Sequence, residues 1–108
     1  MDRQPLVIGN TYFSLMYIDD ALSVPEIETL VYLGRSDVAS SGGSSRAVHL
    51  FQYAASYLGD GNWNEMPAEK KEQLQAPPVV FFELEHIEPI CDPARLIEQL
   101  QEWRARSS

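Results

Sequence analysis

The chain is poor in the residues on which much protein chemistry depends. Cys91 is the only cysteine among 108 residues, and there are two histidines. No internal disulfide can form, and a lone thiol fits a reducing compartment. No apolar run approaches the roughly 18 residues of a membrane-spanning helix, and no basic segment followed by an apolar stretch resembles a signal peptide. We therefore expect a cytoplasmic protein that neither spans nor binds a membrane.

Positive charge is scarce as well. Eight Lys and Arg residues stand against sixteen Asp and Glu, which gives a formal net charge of −8. The largest basic cluster is the pair Lys70-Lys71. Phosphate backbones would be repelled by this charge, so nucleic-acid binding is disfavoured. An acidic surface favours solubility and steers association with a basic protein, which is the kind of partner we expect.

Apolar, β-rich runs dominate what is present: Thr11–Ile18, Thr29–Leu33 and Val79–Leu84. We predict a strand over Leu6–Ile18, interrupted at the turn-forming pair Gly9-Asn10. A second strand is predicted from about Ile27 to Leu33, ended by Gly34, and a hairpin is the simplest way to pair these two strands. The Gly- and Ser-rich stretch 34–46 is predicted to be a flexible loop.

The second half of the chain alternates between strand and helix signals. Residues 47–58 fit either type, and we favour a strand over 47–52 followed by a helix over 53–58. Pro67–Gln75 opens with proline and predicts a short surface helix. Val79–Ile87 alternates like a strand with one buried face. Asp92 and Pro93 then form a helix start, followed by apolar residues at helical spacing: Leu96, Ile97, Leu100 and Trp103.

These elements predict a single α+β domain over residues 1–108. Its antiparallel sheet would have three or four strands. The C-terminal amphipathic helix would pack on one face of that sheet, beside one or two short extra helices.

One motif suggests metal-dependent chemistry. Tyr17-Ile-Asp-Asp20 resembles the tyrosine–x–Asp–Asp motif of reverse transcriptases, in which the aspartates lie at a hairpin turn. In that family they hold divalent metal for nucleotidyl transfer. The family requires a further metal-binding aspartate from an upstream strand, whereas only Asp2 precedes the hairpin here. We therefore interpret Asp19 and Asp20 as a polar turn between two strands.

Other chemistry-bearing residues do not complete a recognisable site. Gly42-Gly-Ser-Ser45 lacks the lysine of a P-loop. His86, Glu88, Cys91 and Asp92 are four potential ligands within seven residues, but each of the preferred zinc ligands, histidine and cysteine, occurs there once. We assign no catalytic residue, metal ligand or cofactor. The alternative hypothesis is a small metal-dependent hydrolase that uses Asp19/Asp20 or His86/Glu88.

The remaining candidates suggest binding. Aromatic residues amid small polar ones are typical of interaction surfaces, because they bury much area at low entropic cost. The predicted contact surface combines such aromatics with acidic turns: Tyr53, Tyr57, Trp63, Asp19, Asp20 and Asp60. We therefore expect a non-catalytic cytosolic protein-binding or accessory domain, of the immunity-protein kind at its most specific. Homo-oligomerisation through a sheet edge or the Trp103 face stays open.

Overall fold

A computed structural model describes residues 5–39 and 42–107 as an α+β fold. The sheet consists of β1 (Thr11–Tyr17), β2 (Pro25–Ala39), β3 (Ser45–Tyr53), β4 (Val79–Glu83) and β5 (Ile90–Cys91). The helices are α1 (Ala54–Asp60), α2 (Ala68–Gln73) and α3 (Pro93–Ser107), with a 3-10 helix at Trp63–Glu65. No helix in the described part of the chain is long and apolar enough to cross a bilayer.

All five strands are antiparallel, in the order β4-β3-β2-β1-β5. The hairpin between the first two strands is confirmed, with Tyr17 opposite Pro25. The prediction of three or four strands was wrong by one. The additional strand, β5, consists of Ile90 and Cys91 alone, which is too short for any periodicity to show. It forms because Phe13 and Ser14 present a free strand edge to it.

The strand β2 is much longer than predicted. Gly34 does not end it, because the chain passes through this residue at φ 111° and the pairing with β3 shifts register there as a β-bulge. Fifteen residues of strand span about 50 Å, which matches the 50 Å long axis of the molecule. The connection to β3 is correspondingly shorter than the predicted loop 34–46. Residues 40 and 41 of that loop lie outside the described residues.

The inner face of the sheet carries the principal core. Strand alternation and register place one set of buried side chains there: Tyr12, Leu30, Tyr32, Phe51 and Ile90. Residues 84–89 connect β4 to β5 although these strands lie at opposite edges, and backbone turns occur at both ends of this short connection. The sheet must therefore curl toward its inner face. Leu6 and Ile87 pack over the core from outside the sheet.

The outer face is covered in part by the segment that follows β3. Gln52 is fully buried on this face. Its amide donates to Ser56 Oγ (3.1 Å) and to the Gly61 carbonyl (2.9 Å), and its carbonyl accepts from the Trp63 backbone N–H (2.8 Å). A buried amide must satisfy its polar atoms internally. This one does so by fixing α1 and the 3-10 helix against the sheet.

The C-terminal helix begins as predicted but packs differently. Asp92 Oδ1 accepts from the Arg95 backbone N–H (2.7 Å), which is the expected N-cap. However, α3 lies against β1 and β5 at one edge of the sheet, with Ile97 exposed and Leu96 and Trp103 half-buried. Packing across a whole face is thus not confirmed. The curl of the sheet and the connection 84–89 enclose the inner core without this helix.

Candidate functional site

Exposed apolar side chains concentrate at the end of the β1–β2 hairpin. We call residues 16–28 the hairpin tip. Its apolar members are between 42% and 69% exposed: Met16, Ile18, Leu22, Val24 and Ile27. Single exposed apolar residues are ordinary, whereas several at one end of a hairpin mark a candidate interaction surface. The register places Ile27 opposite Leu15, on the other face of the hairpin from Met16. The rim here is acidic, with Asp20, Glu26 and Glu28 in the same thirteen residues.

The turn of the hairpin tip is held in one conformation by Asp19. Its carboxylate accepts from the backbone N–H groups of Ser23 (3.0 Å) and Val24 (2.9 Å) and from the Ser23 hydroxyl. These hydrogen bonds, that of the Ser23 hydroxyl above all, lower the pKa of Asp19. The indole of Trp103 donates to the Ser23 carbonyl (3.0 Å) and ties the turn to α3. The turn is thus a rigid platform.

Leu22 carries backbone strain within this turn. Its φ of 56° makes it the one described non-glycine residue with a positive φ. Leucine in the left-handed region costs about 1–2 kcal/mol, and glycine or asparagine would relieve that cost. The leucine side chain is half exposed to solvent. Strain of this kind clusters at binding and switch sites, which supports a binding role for the hairpin tip.

A cavity of about 290 Å³ opens on the inner-face side of the hairpin tip. It is lined by Ser14, Met16, Tyr17, Ile18, Glu26 and Glu28, and we call it the tip cavity. The register explains the grouping, because Ser14 lies opposite Glu28 and Met16 lies opposite Glu26. Opposed residues of an antiparallel pair share one face. Two carboxylates, a hydroxyl and a thioether therefore meet at one place.

The charge of the tip cavity is uncompensated. Among the described residues, the ion pairs join Glu83 to Arg46 and to His86, and neither Glu26 nor Glu28 takes part in one. Tyr53 lies beside Glu28. Burial first, and then the negative charge of Glu28, raises the pKa of Tyr53. The site therefore presents negative charge beside an apolar surface, which is suited to a cationic ligand.

The structure divides the predicted contact residues into two groups. Asp19, Asp20 and Tyr53 lie at the hairpin end of the sheet, where Tyr53 adjoins Glu28. The other three lie in residues 54–65, which follow β3 and which we call the outer-face segment: Tyr57, Asp60 and Trp63. There, the Lys71 ammonium stacks over the Trp63 ring at 4.4 Å. Lys70 donates to the Asp60 carbonyl at 2.6 Å. These lysines reduce the local negative charge, so the hairpin tip is the more acidic of the two.

The residues of the alternative hydrolase hypothesis are dispersed. Asp19 is engaged by its own turn, and His86 Nδ1 lies 3.2 Å from Glu83 Oε2 on the connection after β4. Cys91 is buried at the edge of the sheet. In the parts of the chain that the structure describes, no three His, Cys, Asp or Glu side chains are grouped to hold a metal ion.

The titratable side chain of His49 lies inside the molecule. His49 is almost fully buried on the inner face, and its Nδ1 is 2.9 Å from the Tyr32 hydroxyl. Burial, and secondarily the charge of Arg35 on the neighbouring strand, lowers the pKa of His49. Burial likewise raises the pKa of Tyr32. The neutral imidazole accepting from the neutral phenol is the form that these shifts favour.

Because the pKa of buried His49 is lowered, we expect the stability of the protein to depend on pH. Above the unfolded pKa of about 6.5, His49 is neutral in both states and contributes no pH dependence. As the pH falls through that value, the unfolded chain binds a proton that the folded protein does not, so the free energy of unfolding decreases toward the lowered folded pKa. Chemical denaturation between about pH 7 and pH 5 should show this decrease. It should be absent from His49→Gln and retained in the exposed control His86→Gln; an unchanged profile in His49→Gln would contradict the assignment.

Comparison with known proteins finds no match to this chain among family models, curated proteins or solved structures. The functional argument therefore depends on the site itself. Sequence reasoning missed Ser14, Met16, Glu26 and Glu28. Strand alternation puts Ser14 and Met16 on one face of β1, and Glu26 and Glu28 on one face of β2. The sequence does not show that these two faces coincide, because that depends on the register between the strands.

Proposed function

We propose that this protein is a non-catalytic binding domain whose hairpin tip docks onto a basic protein. The observation that carries the proposal is the exposed apolar hairpin tip with carboxylates at Glu26 and Glu28 that form no ion pair among the described residues. Apolar area supplies affinity, and the acidic rim supplies steering and selection for a basic partner. Its most specific form is an immunity-like role, in which the domain covers a basic toxin by complementarity alone.

Rigidity supports this proposal. Asp19 and Trp103 hold the turn in one conformation, so little conformational entropy is lost when a partner covers it. The strained Leu22 presents its side chain outward from that platform. A net charge of −8 accelerates the encounter with a cationic protein at low ionic strength.

Affinity capture with charge-matched variants tests the proposal. The immobilised protein is exposed to an extract of the cells that encode it, and the retained proteins are identified by mass spectrometry. The specifically retained protein is expected to be basic. In calorimetry with that purified partner, the double variant Glu26→Lys, Glu28→Lys should weaken binding by about tenfold or more, because attraction becomes repulsion. Raising the salt concentration should weaken binding of the unmodified protein as well.

The control makes the same charge change elsewhere. Glu69 and Glu72 are exposed on α2, and Glu69→Lys, Glu72→Lys should bind nearly as well as the unmodified protein. For the apolar component, Leu22→Asn keeps the left-handed backbone accessible while removing the side chain. It should weaken binding, whereas Leu58→Asn on exposed Leu58 should not. Retention that is equal in all four variants, or an acidic partner, would refute the proposal.

A further inference from the structure

We propose that the tip cavity receives an arginine side chain of the partner, an inference that rests on the function proposed above. The cavity holds about 290 Å³ and is lined by two carboxylates, one hydroxyl and apolar atoms. A guanidinium group is a planar cation with five N–H donors and an aliphatic stem. The lining supplies hydrogen-bond acceptors for the N–H donors and apolar contact for the aliphatic stem.

Ser14 points to a ligand independently of the acidic residues. It is only 6% exposed, yet its hydroxyl has no hydrogen-bond partner among the described residues. This hydroxyl is not sealed from solvent, and Ser14 lines the cavity. Buried polar groups are nearly always hydrogen-bonded. A hydroxyl left open in an otherwise buried residue is an acceptor available to a ligand.

The spacing of the carboxylates suits a forked donor. Glu26 and Glu28 are two residues apart on one strand, so their backbones are separated by about 6.6 Å on the same face. Flexible side chains at that separation can converge on one guanidinium, with the Ser14 hydroxyl as a third acceptor. Met16 and Ile18 form apolar walls. A weakly hydrated guanidinium tolerates such walls better than a strongly hydrated ammonium does.

One cation of the chain already contacts the lining. Arg106 donates to the Tyr17 hydroxyl at 3.2 Å, and its guanidinium lies 5.8 Å from the centre of the Tyr17 ring. It forms no ion pair with Glu26 or Glu28 in the described structure. Glu28 accepts a hydrogen bond from the Tyr53 side chain, but no cation of the described residues neutralises the negative charge of either glutamate, and both can attract a cationic ligand.

The test uses a capped amino acid as the probe. N-acetyl-arginine N-methylamide is titrated into the isotopically labelled full-length protein, and backbone amide shifts are followed by NMR. Shifts at Ser14, Met16, Glu26 and Glu28 should saturate with a dissociation constant on the order of millimolar, as for a single anchoring side chain. Glu28→Gln should weaken binding by about tenfold, and Ser14→Ala by about threefold. Glu69→Gln on α2 is the matched control and should bind like the unmodified protein.

The Ser14 variant separates recognition from folding. Because the hydroxyl has no hydrogen-bond partner in the described part of the chain, its removal should leave the melting temperature unchanged or slightly raised. The citrulline analogue, which has nearly the same shape without the charge, should produce no saturable shifts. Equal binding of the lysine analogue, or arginine-induced shifts that are the same in Glu28→Gln, would overturn the inference. The proposed function would survive that result if the Glu26→Lys, Glu28→Lys variant still lost its protein partner.

Discussion

Phe51→Ala should lower the free energy of unfolding by about 3–5 kcal/mol, the range for a large aromatic removed from a closed core. Phe51 has no exposed surface, and its ring contacts those of Tyr12, Tyr32 and Phe82 at centroid distances of 5.2–6.2 Å. These three rings come from three other strands. Its removal therefore leaves a cavity that no single strand can collapse to fill.

Phe81 provides the matched control for this experiment. It lies on the neighbouring strand, one residue before Phe82, and is 46% exposed on the outer face. Phe81→Ala should cost less than about 1 kcal/mol, because most of its contacts are with solvent. Urea denaturation of both variants gives the comparison. Equal losses would show that the inner face is not the principal core.

Gln52→Leu should lower the free energy of unfolding by about 3 kcal/mol, because it removes three hydrogen bonds that each contribute about 1 kcal/mol. Leucine has nearly the same volume but can neither accept from the Trp63 N–H nor donate to the Gly61 carbonyl. The loss should be accompanied by a changed indole resonance of Trp63 in NMR spectra. The resonance of Trp103, which belongs to α3, should remain in place.

An exposed glutamine tests whether the effect is specific to burial. Gln73 ends α2 and is exposed to solvent. Gln73→Leu should change stability by less than about 0.5 kcal/mol. A Gln52→Leu variant as stable as Gln73→Leu, with an unshifted Trp63 resonance, would show that the outer-face segment is held by other contacts.

Together these contacts separate the stable body of the protein from its proposed binding surface. The inner core and the Gln52 network hold the sheet and the segment after it, whereas the hairpin tip extends beyond both. Substitutions at Glu26 and Glu28 should therefore alter binding without unfolding the protein. This separation makes the proposed function testable by point variants.

The hairpin tip shows how far sequence reasoning reaches. The turn at Asp19 and Asp20 is predictable, because aspartate accepts hydrogen bonds from the backbone a few residues ahead of it. Met16 lies in the apolar run Thr11–Ile18, which gives no sign that this side chain would be exposed. It is 55% exposed, although α3 reaches the turn of the hairpin through the hydrogen bond from Trp103 to Ser23. Exposure of this kind depends on distant segments.

Gln52 shows the reverse case. In the sequence it is a polar residue between the aromatic residues Phe51 and Tyr53. In the structure it is fully buried, because the chain after β3 folds back over it and supplies partners for its amide. Neither Gly61 nor Trp63 has a sequence signal that would identify it as such a partner.

Features that act over a few residues could be predicted from the amino-acid sequence: the hairpin, the turn at Asp19, the cap at Asp92 and the short helices. Three others depend on the tertiary structure: the closed face of the sheet, the extension of β2 past Gly34, and the placement of Ser14 and Met16 opposite Glu28 and Glu26. The two kinds of feature differ in the range of the interactions that produce them. Propensity and capping depend on immediate neighbours, whereas burial and cross-strand register depend on pairing between segments that are far apart in the chain.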